Sequence, residues 1–297
     1  VAALLGRNRT ERVLAVGVVA TLGTMQLFFG YVENYPLMTL GVLLYIWAAL
    51  RYLRGELALV WVAAILALIH AFHPSTIILT PSLLYLAFVA SPINSWNATN
   101  AQSVLRGNRL RIDWRRLLSV AVPYAVVFVG VVALMSSGEH GLDALMGADF
   151  PGGGDRSWFV PLSQITTKWQ HYTMFSWGHL VDIVNQQLLV APMVWPSLIL
   201  MGVFAWRRIP KGEPVGRYLA LMAGFYLLLT LTWNADYGGQ KDWDLFSPAA
   251  LPAALLLAWA LPRALPERHA LRAAGWAIIA TQGVNLLTWI WRNMLPR

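Results

Sequence analysis

No cysteine occurs in the 297-residue chain, so neither a disulfide framework nor a thiolate metal site can exist. Charge is scarce too: Asp, Glu, Lys and Arg together make up 12% of the residues, against about 25% in soluble domains. No internal repeat and no low-complexity tract is present, which excludes solenoids and compositionally disordered arms. What fills the chain is apolar, with 58% hydrophobic residues and a mean hydropathy of +0.55. Such a composition belongs to a membrane protein.

Apolar runs long enough for a hydrocarbon core of roughly 30 Å begin near Val13, Leu37, Leu57, Thr76, Leu117, Met193, Leu219, Pro248 and Ala273. The expectation is an all-α polytopic membrane protein, a single membrane domain over residues 1–297. About nine transmembrane helices are expected, near 13–32, 37–53, 57–72, 76–92, 117–135, 193–206, 219–233, 248–262 and 273–291. Proline inside a span (Pro81, Pro123, Pro196, Pro252) is tolerated in lipid and carries little functional information.

The connections divide sharply by charge. With the N-terminus of the chain cytoplasmic, 17 of the 22 Lys and Arg residues fall on the inside, and only Arg156, Lys168, Lys241, Arg292 and Arg297 fall outside. Nine of the fourteen acids fall outside. The positive-inside rule therefore selects this orientation, with the C-terminus extracytoplasmic. The formal net charge of +8 follows from topology and requires no nucleic-acid partner. A sequon at Asn97 lies on the inside face and is discounted.

One long extracytoplasmic loop is expected over 136–191. Its first half contains FPGGGD and reads as irregular. Its second half, from about Pro161 to Gln187, repeats Trp169, Tyr172, Ser176, Leu180 and Val184 at helical spacing beside His171, His179, Asp182 and Gln186. That pattern predicts an interfacial amphipathic helix.

Sorting the polar residues by side collects five of the six histidines, Glu33 and a group of acids at the outer face. In GYVENYP, Glu33, Asn34 and Tyr35 sit between two spans with almost no loop, where an ionisable group is costly unless it pairs or reaches water. It is either a functional group or a residue of the wet headgroup layer. In HAFHP, His70 and His73 are three apart on one helix face. They suit a structural pair, a phosphate contact or, with further ligands, a metal, two histidines being an incomplete site. The stretch NADYGGQKDWDLF carries Asp236, Gln240, Lys241, Asp242, Trp243 and Asp244. Gly238-Gly239 permits a tight turn with positive φ, and DWDLF runs into the next apolar run, which places its acids near a helix start. Like charges there raise the proton affinity of one member, fitting it for general base work. The same oxygens could alternatively hold a divalent cation, or the acids could serve as caps alone.

These residues form one expected extracytoplasmic site. Asp242, Asp244 and Glu33 are the candidate catalytic acids. Asn34, Tyr35, His70, His73, Arg156, His171, His179, Asp236, Gln240, Lys241 and Trp243 are the candidate substrate-binding residues, and no dedicated metal site is expected. Cations of this kind hold phosphate, and flat aromatic rings offer stacking faces to a sugar, so the inventory suits a substrate that is part sugar and part anionic lipid.

Two segments, FFGYVENYPL (Phe28 to Leu37) and GGQKDWDLFSPAALP (Gly238 to Pro252), resemble bacterial members of the GT-C glycosyltransferases, the superfamily of dolichyl-phosphate-mannose protein mannosyltransferases. The motif likeness covers about 25 residues; the rest is topology. The resemblance implies transfer of a sugar from a polyprenyl-phosphate carrier to an acceptor on the outer face of a bacterial inner membrane, with inversion and without a nucleotide sugar. In that superfamily the principal catalytic acid lies in a long first outer loop, whereas here the first outer connection is Val32 to Pro36. Either Glu33 takes that role, or the acidic loop precedes Val1. Competing readings are an O-antigen ligase or polymerase, which would lean on arginines in its large outer loop, a transporter, with ionisable groups near the bilayer midplane, and a non-catalytic membrane subunit.

Overall fold

The computed structural model describes residues 1–29, 33–90, 114–138, 158–235, 238 and 241–295. Among them every named element is helical, as a chain that must satisfy its backbone inside lipid requires. After a single turn at Ala2–Leu5 come α1 (Arg9–Ala20), α2 (Tyr35–Leu53), α3 (Leu59–Phe72), α4 (Thr80–Phe88) and α5 (Trp114–Ser137). Then follow α6 (Trp177–Val190), α7 (Val194–Phe204), α8 (Pro214–Thr232), α9 (Trp243–Ala264) and α10 (Arg268–Met294). Helix α9 contains one 3₁₀ turn at Ser247–Ala249.

Four of these, α2, α5, α8 and α9, are long and apolar enough to cross a membrane, or five if α6 and α7 count together as one broken span. Nine such helices were expected from the apolar runs, and the shortfall has local causes. The run from Val13 ends as helix at Ala20, and Gly23–Phe28 is 3₁₀. The run from Thr76 opens on a 3₁₀ segment, Pro74–Leu79, before α4. Helix α3 has only 14 residues, about 21 Å of rise. The α6–α7 pair bends by 103° at its break, with Pro192 in the joint.

The interfacial helix expected from about Pro161 begins only at Trp177. Upstream, the polar side chains satisfy the backbone in another way. Gln170 Oε1 accepts from the Thr166 and Thr167 amides and from Thr166 Oγ1. An isolated antiparallel bridge joins Phe159 to Trp233, with Val160 N donating to Thr232 O and Asn234 N to Trp158 O. Ser176 Oγ then accepts from His179 N and caps α6, as hydroxyls do at helix starts.

The chain forms two compact units, Val1–Thr39 with Asp155–Arg297, and Leu40–Gly154. In the first unit α9 is central, with nearly all of its most apolar stretch buried, and it is packed by α1, α7 and α8. Close approach relies on small residues, as between helices in lipid. A Cβ on Gly216 would collide with the Trp259 ring, one on Gly17 with Ile279, and one on Gly275 would stand 2.6 Å from Leu14 Cδ1. Gln282 Nε2 donates to Val18 O at 3.1 Å and to Thr21 Oγ1 at 3.3 Å. The pairs Leu14–Gly275, Gly17–Ile279 and Val18–Gln282 run in one direction, so α1 and α10 lie parallel. Helix α1 starts with a reciprocal cap: Asn8 Oδ1 accepts from Glu11 N, and Glu11 accepts from Asn8 Nδ2 and from Arg7 N, a capping box in spacing.

In the second unit α3 packs on α5 and α4, and Gly41 of α2 faces Ile69 of α3. Ser82 Oγ donates to Leu79 O, so Tyr45 is the donor in its 2.8 Å hydrogen bond to Ser82 Oγ. Tyr52 Oη donates to Leu86 O.

Candidate functional site

Helix α9 begins where the acidic stretch ends, and its entry is built by backbone geometry. Gly238 has φ +86°, the left-handed region that glycine enters without steric penalty. Its carbonyl accepts from the Lys241 and Asp242 amides at 3.0 and 3.1 Å, turning the chain into the helix. The base of the turn is anchored from both sides: Asn234 Nδ2 donates to Trp169 O at 3.0 Å, and Ala235, Leu245 and Phe246 form a small apolar core covered by Tyr35 and Trp233. Tyr35, expected as a substrate contact, is thus a half-buried packing residue of this core.

Asp242 occupies the N-cap position of the first turn of α9 without a capping hydrogen bond from its side chain. Asp244 is buried, and its Oδ1 accepts from Leu245 N at 2.8 Å. Glu33 is exposed; partial loss of water and the nearby Asp244 carboxylate hold its carboxyl above the usual carboxylate range. Glu33 and Asp244, 211 positions apart in the chain, therefore interact electrostatically. Trp243 packs edge to face on Trp289 of α10, with ring centroids 4.5 Å apart. Lys241 and Asn34 are exposed at the same rim.

The histidines separate into different roles. His171 is exposed, and its Cδ2 lies 3.9 Å from where a Cβ on Gly238 would stand, so it flanks the turn. His179 is 1% exposed, contacts the Met174 carbonyl through Nδ1 at 2.7 Å and stacks on Tyr172 at 4.6 Å. A carbonyl only accepts, so Nδ1 carries the proton, and the ring is a structural part of the α6 entry.

His70 and His73 belong to the second unit. Thr76 Oγ1 donates to His73 O, so His70 Nδ1 donates to Thr76 Oγ1 at 2.9 Å, while its Nε2 meets Thr80 Oγ1 at 3.2 Å. Both ring nitrogens of His70 are thus engaged within the fold. His73 Nδ1 accepts from Ser75 N and caps the Pro74–Leu79 turn. Arg156, Asp236 and Gln240 lie outside the described residues. Among the described residues no group of three or more His, Asp or Glu side chains converges as metal ligands.

The structure thus brings together Glu33, Tyr35, Lys241, Asp242, Trp243, Asp244 and His171. Sequence reasoning missed the residues that hold this rim in place, Asn234, Trp169, Trp233 and Trp289. Asn234 carried a signal, a lone amide at the end of an apolar run; the tryptophans looked like any other in a chain with fifteen. Chemically, the arrangement sets Glu33, a carboxyl held above its usual range, near the Asp244 carboxylate at a rim that also carries Lys241, His171 and Trp243.

These features define an all-helical membrane protein with a polar rim at the start of its most buried helix. Comparison with protein-family models, with curated proteins and with solved structures finds no match for this chain.

Proposed function

We propose that the protein transfers a sugar from a polyprenyl-phosphate carrier to an acceptor hydroxyl at the extracytoplasmic face of a bacterial inner membrane, as the GT-C resemblance implies. The observation that carries this reading is the Glu33–Asp244 pair, in which the Glu33 carboxyl is held above the usual carboxylate range, the direction that suits a general base. In the proposed step Glu33 takes the proton from the acceptor hydroxyl. The acceptor oxygen bonds to the anomeric carbon from the face opposite the carrier, and the bond from that carbon to the carrier phosphate breaks, its electron pair leaving with the phosphate. Asp242 and Asp244 hold and polarise the acceptor and the glycosyl unit, Lys241 and His171 meet the phosphate, and Trp243 offers a stacking face. A divalent cation on the same carboxylates remains an alternative way to hold the phosphate.

Nine crossings remain part of this reading, because that topology keeps 17 of the 22 Lys and Arg residues on the cytoplasmic side and the acid rim outside. Turnover of a polyprenyl-phosphate sugar by the protein in proteoliposomes, read as release of polyprenyl phosphate, is the test. Asp242→Asn and Asp244→Asn are expected to abolish it with expression and fold retained; full turnover in both variants removes these two acids from the chemistry, and no turnover by the unaltered protein transfers the chain to the non-catalytic subunit class. A transporter is the second reading, supported by the bent α6–α7 pair, since broken helices line transport sites. Uptake of a sugar-phosphate or lipid-linked sugar into vesicles, with no release of carrier phosphate, would favour it.

A further inference from the structure

The opposite end of the first unit carries a second site. A cavity of about 690 Å³ lies among Arg7, Arg9, Arg208, Arg263 and Arg268, with Glu11 and Glu213. Both acids are committed: Arg7 pairs with Glu11 at 3.1 Å and Arg263 with Glu213 at 2.8 Å. Arg263 is further fixed by Nη1 donating to Trp259 O and by lying 4.4 Å over the Trp259 ring. Arg9 and Arg268 are exposed and have no carboxylate partner among the described residues. The cavity therefore holds cations in excess, on a framework that hydrogen bonds have already ordered.

A second cavity, of about 420 Å³, shares Arg9, Thr10 and Leu271 with the first and continues between α1 and α10 along Val13, Trp276 and Ile279. Val13 is 54% exposed and Trp276 65% exposed. Because α1 and α10 run parallel, both present arginine at their first turns and then become apolar in the same direction. Gly275 and Gly17 keep the floor of the groove low by admitting Leu14 and Ile279.

We propose that this continuous feature is a binding site for an anionic glycerophospholipid, its phosphate held by Arg9 and Arg268 and an acyl chain lying in the groove beside Val13, Trp276 and Ile279. The order along the site, guanidinium first and hydrocarbon second, is the order of polarity in such a lipid. Guanidinium forks match phosphate oxygens in pairs, and basic pockets between membrane helices suit lipid head groups. A small soluble anion would use the arginines and leave the apolar groove empty; a second copy of this chain would bring five more arginines to the same place. The site does not rest on sugar transfer, and the orientation under Proposed function decides only which leaflet supplies the lipid.

The test uses the full chain, purified and delipidated in detergent, titrated with phosphatidylglycerol or phosphatidylcholine in mixed micelles and read by native mass spectrometry. Phosphatidylglycerol is expected to be retained in preference to phosphatidylcholine. Arg9→Gln and Arg268→Gln should each lower that retention about fivefold, and Trp276→Ala should lower it for both lipids. Circular dichroism controls for the fold, and both arginines are exposed, so the variants should assemble. Equal retention of the two lipids, or unchanged retention in the double arginine variant, overturns the proposal. So does displacement of phosphatidylglycerol by millimolar inorganic phosphate, which would mark a soluble-anion site, or concentration-dependent dimerisation that protects Arg9 and Trp276.

Discussion

Two glutamates at the two ends of one helical unit behave in opposite ways. Glu11 is buried, yet its carboxyl lies below the usual range: loss of water works to raise it, but hydrogen bonds from the Arg7 side chain and amide, with the charges of Arg7 and Arg263, outweigh that effect. Glu33 is exposed, yet partial desolvation and the Asp244 carboxylate raise it. For Glu11 the neighbours together outweigh the loss of water, whereas for Glu33 the loss of water comes first and the Asp244 carboxylate adds to it. Helix α9 links the two environments, with Asp244 near its start and Arg263 near its end, 19 residues or about 28 Å apart. At one end the carboxyl is held below its usual range, at the other above it.

The contrast can be broken most severely at the acid end. Glu33→Gln should reduce sugar transfer by about 10²-fold or more, the scale of a lost general base, measured as carrier phosphate released per unit of protein; wild-type rates would remove Glu33 from the chemistry. Next in size is the packing that holds both ends on α9. Gly216→Val places a branched side chain against the Trp259 ring, and a loss of about 1–3 kcal/mol in unfolding free energy is expected. Thermal melts in one detergent would show it, and an unchanged melting temperature would mean that the ring moves aside freely.

The titrations sharpen the comparison further. A carboxylate whose folded value is lowered contributes stability above its unfolded value, about 4.3 for Glu, and loses it as pH falls through the folded value. Glu11 should therefore make the protein acid-sensitive in that range, and Glu11→Gln should flatten that part of the profile. For Glu33 the sign reverses: its ionisation costs stability as pH rises from the unfolded value through the raised one. Replacing Asp244 with Asn should move the Glu33 titration toward lower pH in an infrared or carbon NMR measurement, and no movement would separate the two acids. Lys241→Ala is expected to weaken binding of a polyprenyl-phosphate sugar, an unchanged affinity removing the lysine from the phosphate role. Smallest of all, Asn8→Ala removes the cap of α1 and should cost about 1 kcal/mol.

Much of the acid end was legible because its signals are local. The positive φ of Gly238 follows from a Gly-Gly pair between two apolar runs, and the position of Asp242 and Asp244 at the start of α9 follows from where those runs resume. The segment over 161–176 was misread because Trp169, Tyr172 and Ser176 have helical spacing, while Gln170 accepting from the Thr166 and Thr167 amides and Met174 N donating to Pro161 O draw its backbone into turns. The closeness of Glu33 to Asp244 and the commitment of both His70 nitrogens to threonines left no pattern in sequence order. The arginine cavity draws on Arg7, Arg208, Glu213 and Arg263 from three distant stretches, and nothing in sequence order pointed to it.

From its residues alone this chain is committed to helices in a membrane, since hydrocarbon excludes charge and unpaired backbone wherever they occur. Only the tertiary structure decided which carboxylates feel one another, which histidines are already satisfied, and where helices break or leave a groove. Those properties depend on distances between segments far apart in the chain, and a periodic apolar pattern carries no information about such distances.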